Sequence, residues 1–404
     1  MKKVKCSIDV LAGVAMASII VMPLMRNALG VPRFSHILPI IFLLVFSVLN
    51  LALGRTNKKI YSVLGYLVSL IFPLLYLLLS GMWGTVGGYE SRDVLLILSL
   101  ILISLLTVLV ANAKSIKSFF WSFVIFGVLT SIHVFSSYLT AGSTRGYNVA
   151  FYDYYLVVSR VIGASSASLT VYLLVNNSQR FFLIIPLILY AALGLSLGRS
   201  ALVSSLLLAI IFTILMSTQT RVNRNSIYKY LGSVWSKFKI FGLVFVIGGL
   251  LYSVASSIER TVIRFAELFT SDSIIPGVRG EMWRISLSKI SDSPLFGHGL
   301  GAYKTFFDNL GSYPHNMFLQ VWLDGGVIPF VFLLVFTFLP IILFIYNFEK
   351  HIRFAYHLPI IVIYMVVFGE YNKALNFYVG RGFVVTAVLA LIVSSGNLRN
   401  CISK

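Results

Sequence analysis

The chain has 404 residues, of which 58% are hydrophobic and 11% charged, with a formal net charge of +19 and a mean hydropathy of +0.92. This composition excludes a soluble globular protein. The strongly basic balance invites a nucleic-acid reading, which the placement of the charges then argues against.

In chain order, apolar runs long enough to cross a hydrocarbon core of about 30 Å fall at about 9–25, 36–53, 60–80, 94–112, 119–138, 153–175, 181–197, 201–216, 240–256, 326–346, 354–370 and 376–396. Lipid leaves backbone polar groups unsatisfied, so spans must be helices or a closed barrel, and continuous apolar runs of this length predict helices. The expected fold is all-α: a polytopic helical bundle of about twelve spans forming a single membrane domain over residues 1–404. Lys2, Lys3 and Lys5 precede the first run, and Pro23 and Arg26 follow it without a small-x-small cleavage site, so an uncleaved first helix is expected.

With the N-terminus placed in the cytoplasm, alternating spans collect Lys2, Lys3, Lys5, Arg55, Lys58, Lys59, Lys114, Lys117, Arg180, Arg221, Arg224, Lys229, Lys237, Lys239, Lys350, Arg353, Arg399 and Lys404 on the cytoplasmic side. Asp9 and Glu349 are the acids there. The basic excess is thus the positive-inside pattern, facing anionic lipid headgroups rather than nucleic acid. Both termini are expected in the cytoplasm. Cys6 and Cys401 fall on the same side and show no metal-ligand spacing. Residues 217–239 form a basic cytoplasmic loop suited to lying along the headgroups.

The opposite face holds most acids together with Arg145, Arg199, Arg279, Lys304 and Arg381, basic residues that positive-inside topology tends to remove. Its largest feature is a loop at 257–325. Within it, residues 279–290 place apolar side chains at 282, 283, 285, 287 and 290, a pattern that predicts an amphipathic helix. Pro294 ends that helix, and Gly297, Gly299 and Gly301 allow a tight irregular turn. Tyr313-Pro-His315-Asn316 and Asp324-Gly-Gly326 follow.

The candidate chemistry gathers on that face. Arg199, in Leu195-Ser-Leu-Gly-Arg-Ser-Ala201, sits between two spans at the membrane edge. It is either a snorkelling residue or a clamp for a lipid-borne anion, since guanidinium grips phosphate through a rigid fork. Arg160 lies inside the sixth span with Asp153 nearby. His315 titrates near neutral pH and has the chemistry of a general base. Asn316 would orient its ring or cap the next helix. His298 is a weaker candidate because its glycine neighbours indicate a backbone turn, and His36, His133, His351 and His357 read as membrane-edge or packing residues. No metal-binding motif and no nucleotide-binding glycine pattern occurs, so neither a metal nor another cofactor is expected.

These residues resemble a known family. Arg279-x-x-x-Trp283, Pro294-Leu-Phe-Gly297-x-Gly299-x-Gly301, His315-Asn316 with Gly326 beyond, and Leu-Gly-Arg199-Ser-Ala201 occur in the order and spacing of the O-antigen polymerase/ligase superfamily. The resemblance implies a metal-independent glycosyltransferase of the bacterial inner membrane with a periplasmic active site. Its donor would be a glycan on undecaprenyl diphosphate, and its acceptor a lipid-linked repeat unit (polymerase) or a lipid A–core sugar (ligase). Arg199 and Arg279 would bind the diphosphate and His315 would activate the acceptor hydroxyl, with Asn316, Arg145, Arg160 and Asp324 in support. Membrane lipids and a chain-length regulator are the further partners implied.

Pro329 stands where the ligase pattern usually has Gly, Thr or Tyr, and Gly198 and Ser200 replace its commoner Ser and Gly. The external stretch Thr144-Arg145-Gly-Tyr-Asn148, with Tyr152, Tyr154 and Tyr155, offers stacking aromatics for a second glycan chain. The balance favours polymerase. A twelve-helix transporter or flippase of lipid-linked sugar would instead require mid-membrane polar groups in paired halves, which this chain lacks.

Overall fold

The computed structural model describes residues 2–28, 37–52, 60–82, 91–141, 155–175, 184–196, 199–219, 278–307, 316–351, 354–371 and 379–395. The described residues contain helices and no strand. In chain order these are α1 (Lys2–Ala28), α2 (Leu38–Ala52), α3 (Ile60–Ser80), α4 (Ser91–Val110), α5 (Ala113–Ala141), α6 (Tyr155–Val175), α7 (Ile184–Leu195) and α8 (Arg199–Gln219). After them come α9 (Val278–Asp292), α10 (Tyr303–Phe306), α11 (Met317–Gly325), α12 (Val327–Tyr346), α13 (Phe348–His351), α14 (His357–Tyr371) and α15 (Val379–Ser394).

The all-helical expectation holds, and the span count is more reserved. Three helices are long and apolar enough to cross a membrane by length and composition: Asp93–Val110, Ala113–Thr140 and Val327–Tyr346. Shorter apolar helices occupy eight further predicted segments. Among them α7 has 12 residues, and at 1.5 Å per residue it is only about 18 Å long, short of a full crossing. The predicted segments 217–239 and 240–256 lie largely or wholly outside the described residues.

The bundle is organised around α6, whose residues from Val158 to Leu173 are all buried. A helix apolar all round belongs inside a bundle, and small residues let neighbours approach. Gly163 faces the backbone of Ala201 on α8, and Gly127 of α5 sits against Ser165. The hydroxyls on α6 are satisfied locally: Thr170 donates to the Ser166 carbonyl at 2.7 Å and Ser166 to that of Gly163 at 2.9 Å. Ser165 donates across to Phe123 of α5 at 3.1 Å. α14 and α15 complete the interior, with α14 packed on α6, α8 and α15.

The two ends of the bundle differ in character. One carries the Asp9–Asn112 hydrogen bond (2.9 Å), Lys117 over the Tyr356 ring, and the buried His351–His357 pair. These two histidines pack as interior residues, in line with the packing role expected for them. The other end carries the first turns of α4, α6, α8, α12 and α15, and there α9 to α11 fold.

Candidate functional site

The described residues of 278–307 and 316–327 build one compact unit at that end. α9 lies on α11, and Met282, Ile290, Tyr303, Phe307 and Leu323 form a small core of their own beside the main one. The buried stripe of α9 runs through Met282, Ser286 and Ile290, at i, i+4 and i+8. Leu287, expected on that face, is 54% exposed. It lies off the 282–286–290 stripe, which leaves room at its centre for the small Ser286, whose hydroxyl donates to the Met282 carbonyl.

α9 ends at Asp292, as Pro294 predicts, and the glycine turn then wraps the end of α11. Gly297 N–H donates to the Ser293 carbonyl at 3.1 Å and Ser293 Oγ to the Gly297 carbonyl at 2.8 Å, closing the turn. His298 N–H then donates to the Leu323 carbonyl (2.9 Å) and Gly299 N–H to that of Asp324 (2.8 Å). These acceptors are the carbonyls a helix leaves orphaned at its C-terminus. Pro294 O receives both Val327 N–H at 2.9 Å and Trp322 Nε1–H at 3.1 Å. Through these two bonds the carbonyl joins the end of α11 to the start of α12.

Two glycines make this approach possible. Gly297 and Gly326 have φ of 68° and 83°, in the left-handed region. A β-carbon on Gly297 would stand 2.6 Å from the Asp324 carbonyl group and from Gly326 N, and one on Gly326 would overlap the Leu295 carbonyl. Pro294–Gly301 and Asp324–Gly326, two motifs in the sequence, are one structural unit.

Asp324 is its buried centre. Its carboxyl accepts from Tyr303 N–H at 3.4 Å and from the Gly301 backbone. Burial pushes the carboxyl well above the ordinary carboxylate value, with Asp93 adding to the rise, while the two backbone donors and Lys304 oppose it. Lys304 pairs with Asp93 of α4 at 2.7 Å, tying the unit to the first turn of a membrane helix. That pair was not foreseen; an isolated lysine among glycines and an acid at a helix start were its only signals.

The expected site residues divide as follows. Asn316 takes the capping role: its Oδ1 accepts from Phe318 N–H (3.0 Å) and Leu319 N–H (3.3 Å) at the start of α11. His298 Nε2 sits 2.7 Å from the Lys289 carbonyl, which fixes the Nε2–H tautomer and gives this ring a structural duty. Arg160 is buried in α6. It lies next to Ser159, whose hydroxyl is 2.9 Å from that of Ser196 at the end of α7. Arg199 begins α8 one turn away, and Arg279 lies in the first turn of α9; both side chains lie outside the described residues. His315, Arg145 and Asp153 also lie outside them. α14 bridges the two regions: its Phe368 meets Phe318 of α11 edge-on, with ring centres 6.4 Å apart, and its body packs on α6 and α8. Among the described residues no group of three His, Cys, Asp or Glu side chains gathers to hold a metal ion.

Residues 181–334 match the family model described as O-antigen ligase. This bears out the resemblance to the O-antigen polymerase/ligase superfamily. The matched segment runs from α7 to the first turns of α12, and so contains Arg199, Arg279, His315 and the whole glycine unit. An uncharacterized protein of Haemophilus influenzae is 33% identical over 88 residues, spanning 19% of this chain and 22% of that protein. The chain thus aligns with under a quarter of its relative's length. Members of the O-antigen ligase family are glycosyltransferase-like membrane enzymes of surface-polysaccharide synthesis.

Proposed function

We propose that this chain is a membrane glycosyltransferase that moves a glycan from undecaprenyl diphosphate to an acceptor sugar, acting as the polymerase that joins repeat units. The observation that carries the reading is the coincidence of the family match with the assembled unit at 293–327: the matched segment is where polar backbone and a buried carboxyl are organised at one end of an apolar bundle. In this reading that end faces the periplasm of the bacterial inner membrane and both termini face the cytoplasm.

In the reaction, the acceptor hydroxyl attacks the anomeric carbon of the donor glycan, the bond to the diphosphate oxygen breaks, and undecaprenyl diphosphate leaves with the electron pair. His315 takes the hydroxyl proton. Arg199 and Arg279 neutralise the departing diphosphate, which is the larger share of the rate enhancement when charge develops in a site shielded from water; proton transfer contributes less. Asn316, by capping α11, fixes the backbone to which His315 is bonded. Arg160 and Arg145 support the anion site, and Asp324 holds the glycine unit together. The chemistry draws its free energy from the activated donor and calls on no metal.

A second reading is the ligase, which transfers the glycan to lipid A–core; the description attached to the matching family model favours it. Pro329 and the tyrosine-rich 144–155 stretch weigh for the polymerase. One deletion separates them. Loss of a polymerase leaves single repeat units on the lipid core, whereas loss of a ligase leaves the core bare and strands polymer on the carrier. The enzyme reading itself is tested by Arg199→Ala, Arg279→Ala and His315→Ala in cells. Each should abolish the surface polysaccharide at unchanged protein level, and intact polysaccharide in all three would overturn it.

A further inference from the structure

The glycine unit leaves two large apolar side chains in the open. Leu295 and Phe296 are each 58% exposed although they sit in a turn pinned by several backbone hydrogen bonds. They cannot retract inward. The Leu295 carbonyl lies against Gly326 with no space for a β-carbon, and the preceding Pro294 carbonyl is held by both Val327 and Trp322.

Their position says what covers them. Val327 begins α12, a helix long and apolar enough to cross a membrane. One side of α12 is an exposed row of Ile328, Val331, Val335, Phe338, Ile342 and Ile345. The spacing of three and four residues is that of a helix stripe, and an unbroken apolar stripe on a span is the surface it presents to lipid. Leu295 and Phe296 stand at the head of this helix, where the Leu295 carbonyl lies against Gly326 and the Pro294 carbonyl receives Val327 N–H. Beside them Trp322 stacks on Phe330 with ring centres 4.6 Å apart, its indole N–H turned to the Pro294 carbonyl. A tryptophan with its ring on an apolar face and its N–H on a backbone acceptor is suited to the boundary between acyl chains and headgroups.

We infer that Leu295 and Phe296 form a wedge that inserts into the interfacial layer of the bilayer and holds the glycine unit at headgroup depth. The partner is the lipid surface itself. The use of this depth rests on the function proposed above: a diphosphate on a lipid carrier lies at the headgroup level, and the wedge keeps the start of α11, capped by Asn316, at that level. The depth itself does not rest on that reading.

The test is a depth measurement on the full chain in bilayers of phosphatidylethanolamine and phosphatidylglycerol. A nitroxide is placed at Leu295→Cys or Phe296→Cys in a background with Cys6→Ser and Cys401→Ser, with Val335→Cys, near the middle of α12 and on its exposed stripe, as the reference within the hydrocarbon. Exposure of both residues makes the substitutions compatible with folding. The wedge requires collision with dissolved oxygen to exceed collision with a water-soluble nickel chelate severalfold, at a depth between the phosphate level and that of Val335. A label at 296 that meets the nickel chelate as freely as in water overturns the proposal. So does dipolar broadening between labels that shows the two residues buried against a second copy of the chain. If the enzyme reading fails instead, Arg199→Ala, Arg279→Ala and His315→Ala leave the polysaccharide intact while the measured depth stands, so the two failures are distinct.

Discussion

Gly297 is packed so closely on Asp324 that a β-carbon added to it would stand 2.6 Å from the Asp324 carbonyl carbon and oxygen. Gly297→Ala therefore suffers twice: a positive φ costs about 1–2 kcal/mol for a residue with a β-carbon, and the turn must also move off the end of α11. Unfolding in detergent should register a loss of at least that size. Gly65→Ala is the matched control. Gly65 lies in α3 with nothing within 4 Å of an added β-carbon, so the change should gain about 0.5–1 kcal/mol from helix propensity.

Asp324 sets a pH dependence. Its carboxyl is raised in the folded state from an ordinary value of 3.8. Below that value folded and unfolded chains are both protonated and burial carries no ionisation penalty. As pH rises from there through the raised value, the unfolded chain releases its proton first, and this group's contribution to stability is lost. Asp324→Asn keeps an oxygen for the Gly301 and Tyr303 N–H groups and does not titrate. The thermal midpoint of the variant relative to the parent should climb as pH goes from about 4 toward neutrality, read by scanning both in one detergent. A difference that stays flat with pH would show that the carboxyl is not held protonated.

Much of this was legible in the sequence, and what was not has a physical cause. Helix positions followed from apolar runs, because lipid permits little else, and the cap at Asn316 and the end of α9 before Pro294 followed from local backbone chemistry. The periodicity of α9 includes Leu287 by its apolar character, whereas packing against α11 leaves Leu287 exposed and admits the small Ser286. The clamp between Gly297 and Asp324 was invisible: three spaced glycines announce unusual backbone, yet not which distant segment requires it. Crossing the membrane is likewise a property of length and packing together, which is why α7 reads as a span in sequence and measures short.

Lys304 and Asp93 join the glycine unit to α4 through a pair whose side chains are 27% and 14% exposed. Partial burial makes the pair more than a surface contact, and a double-mutant cycle with Lys304→Met and Asp93→Asn should give a coupling on the order of 1 kcal/mol. The reversed pair, Lys304→Asp with Asp93→Lys, should recover part of the stability that either single reversal removes. It should not recover all, because the lysine would then sit at the N-terminus of α4, where the helix dipole favours an acid. Stability of the parent and the six variants in one detergent reads both effects.

Asn316 allows the structural and chemical duties of the His315-Asn316 pair to be separated. Its Oδ1 accepts from two N–H groups at the start of α11, so Asn316→Ala should cost about 1 kcal/mol and loosen the backbone that carries His315. Asn316→Asp retains an accepting oxygen and adds a charge that suits a helix N-terminus, and should restore stability. If capping is the whole of its duty, surface polysaccharide recovers with stability in the Asp variant and falls in the Ala variant. A stable Asp variant that makes no polysaccharide would show instead that Asn316 has a part beyond capping, either through its amide N–H donors or because the charge aspartate adds repels the diphosphate. Running the glycan on a gel beside a measurement of protein level distinguishes these outcomes.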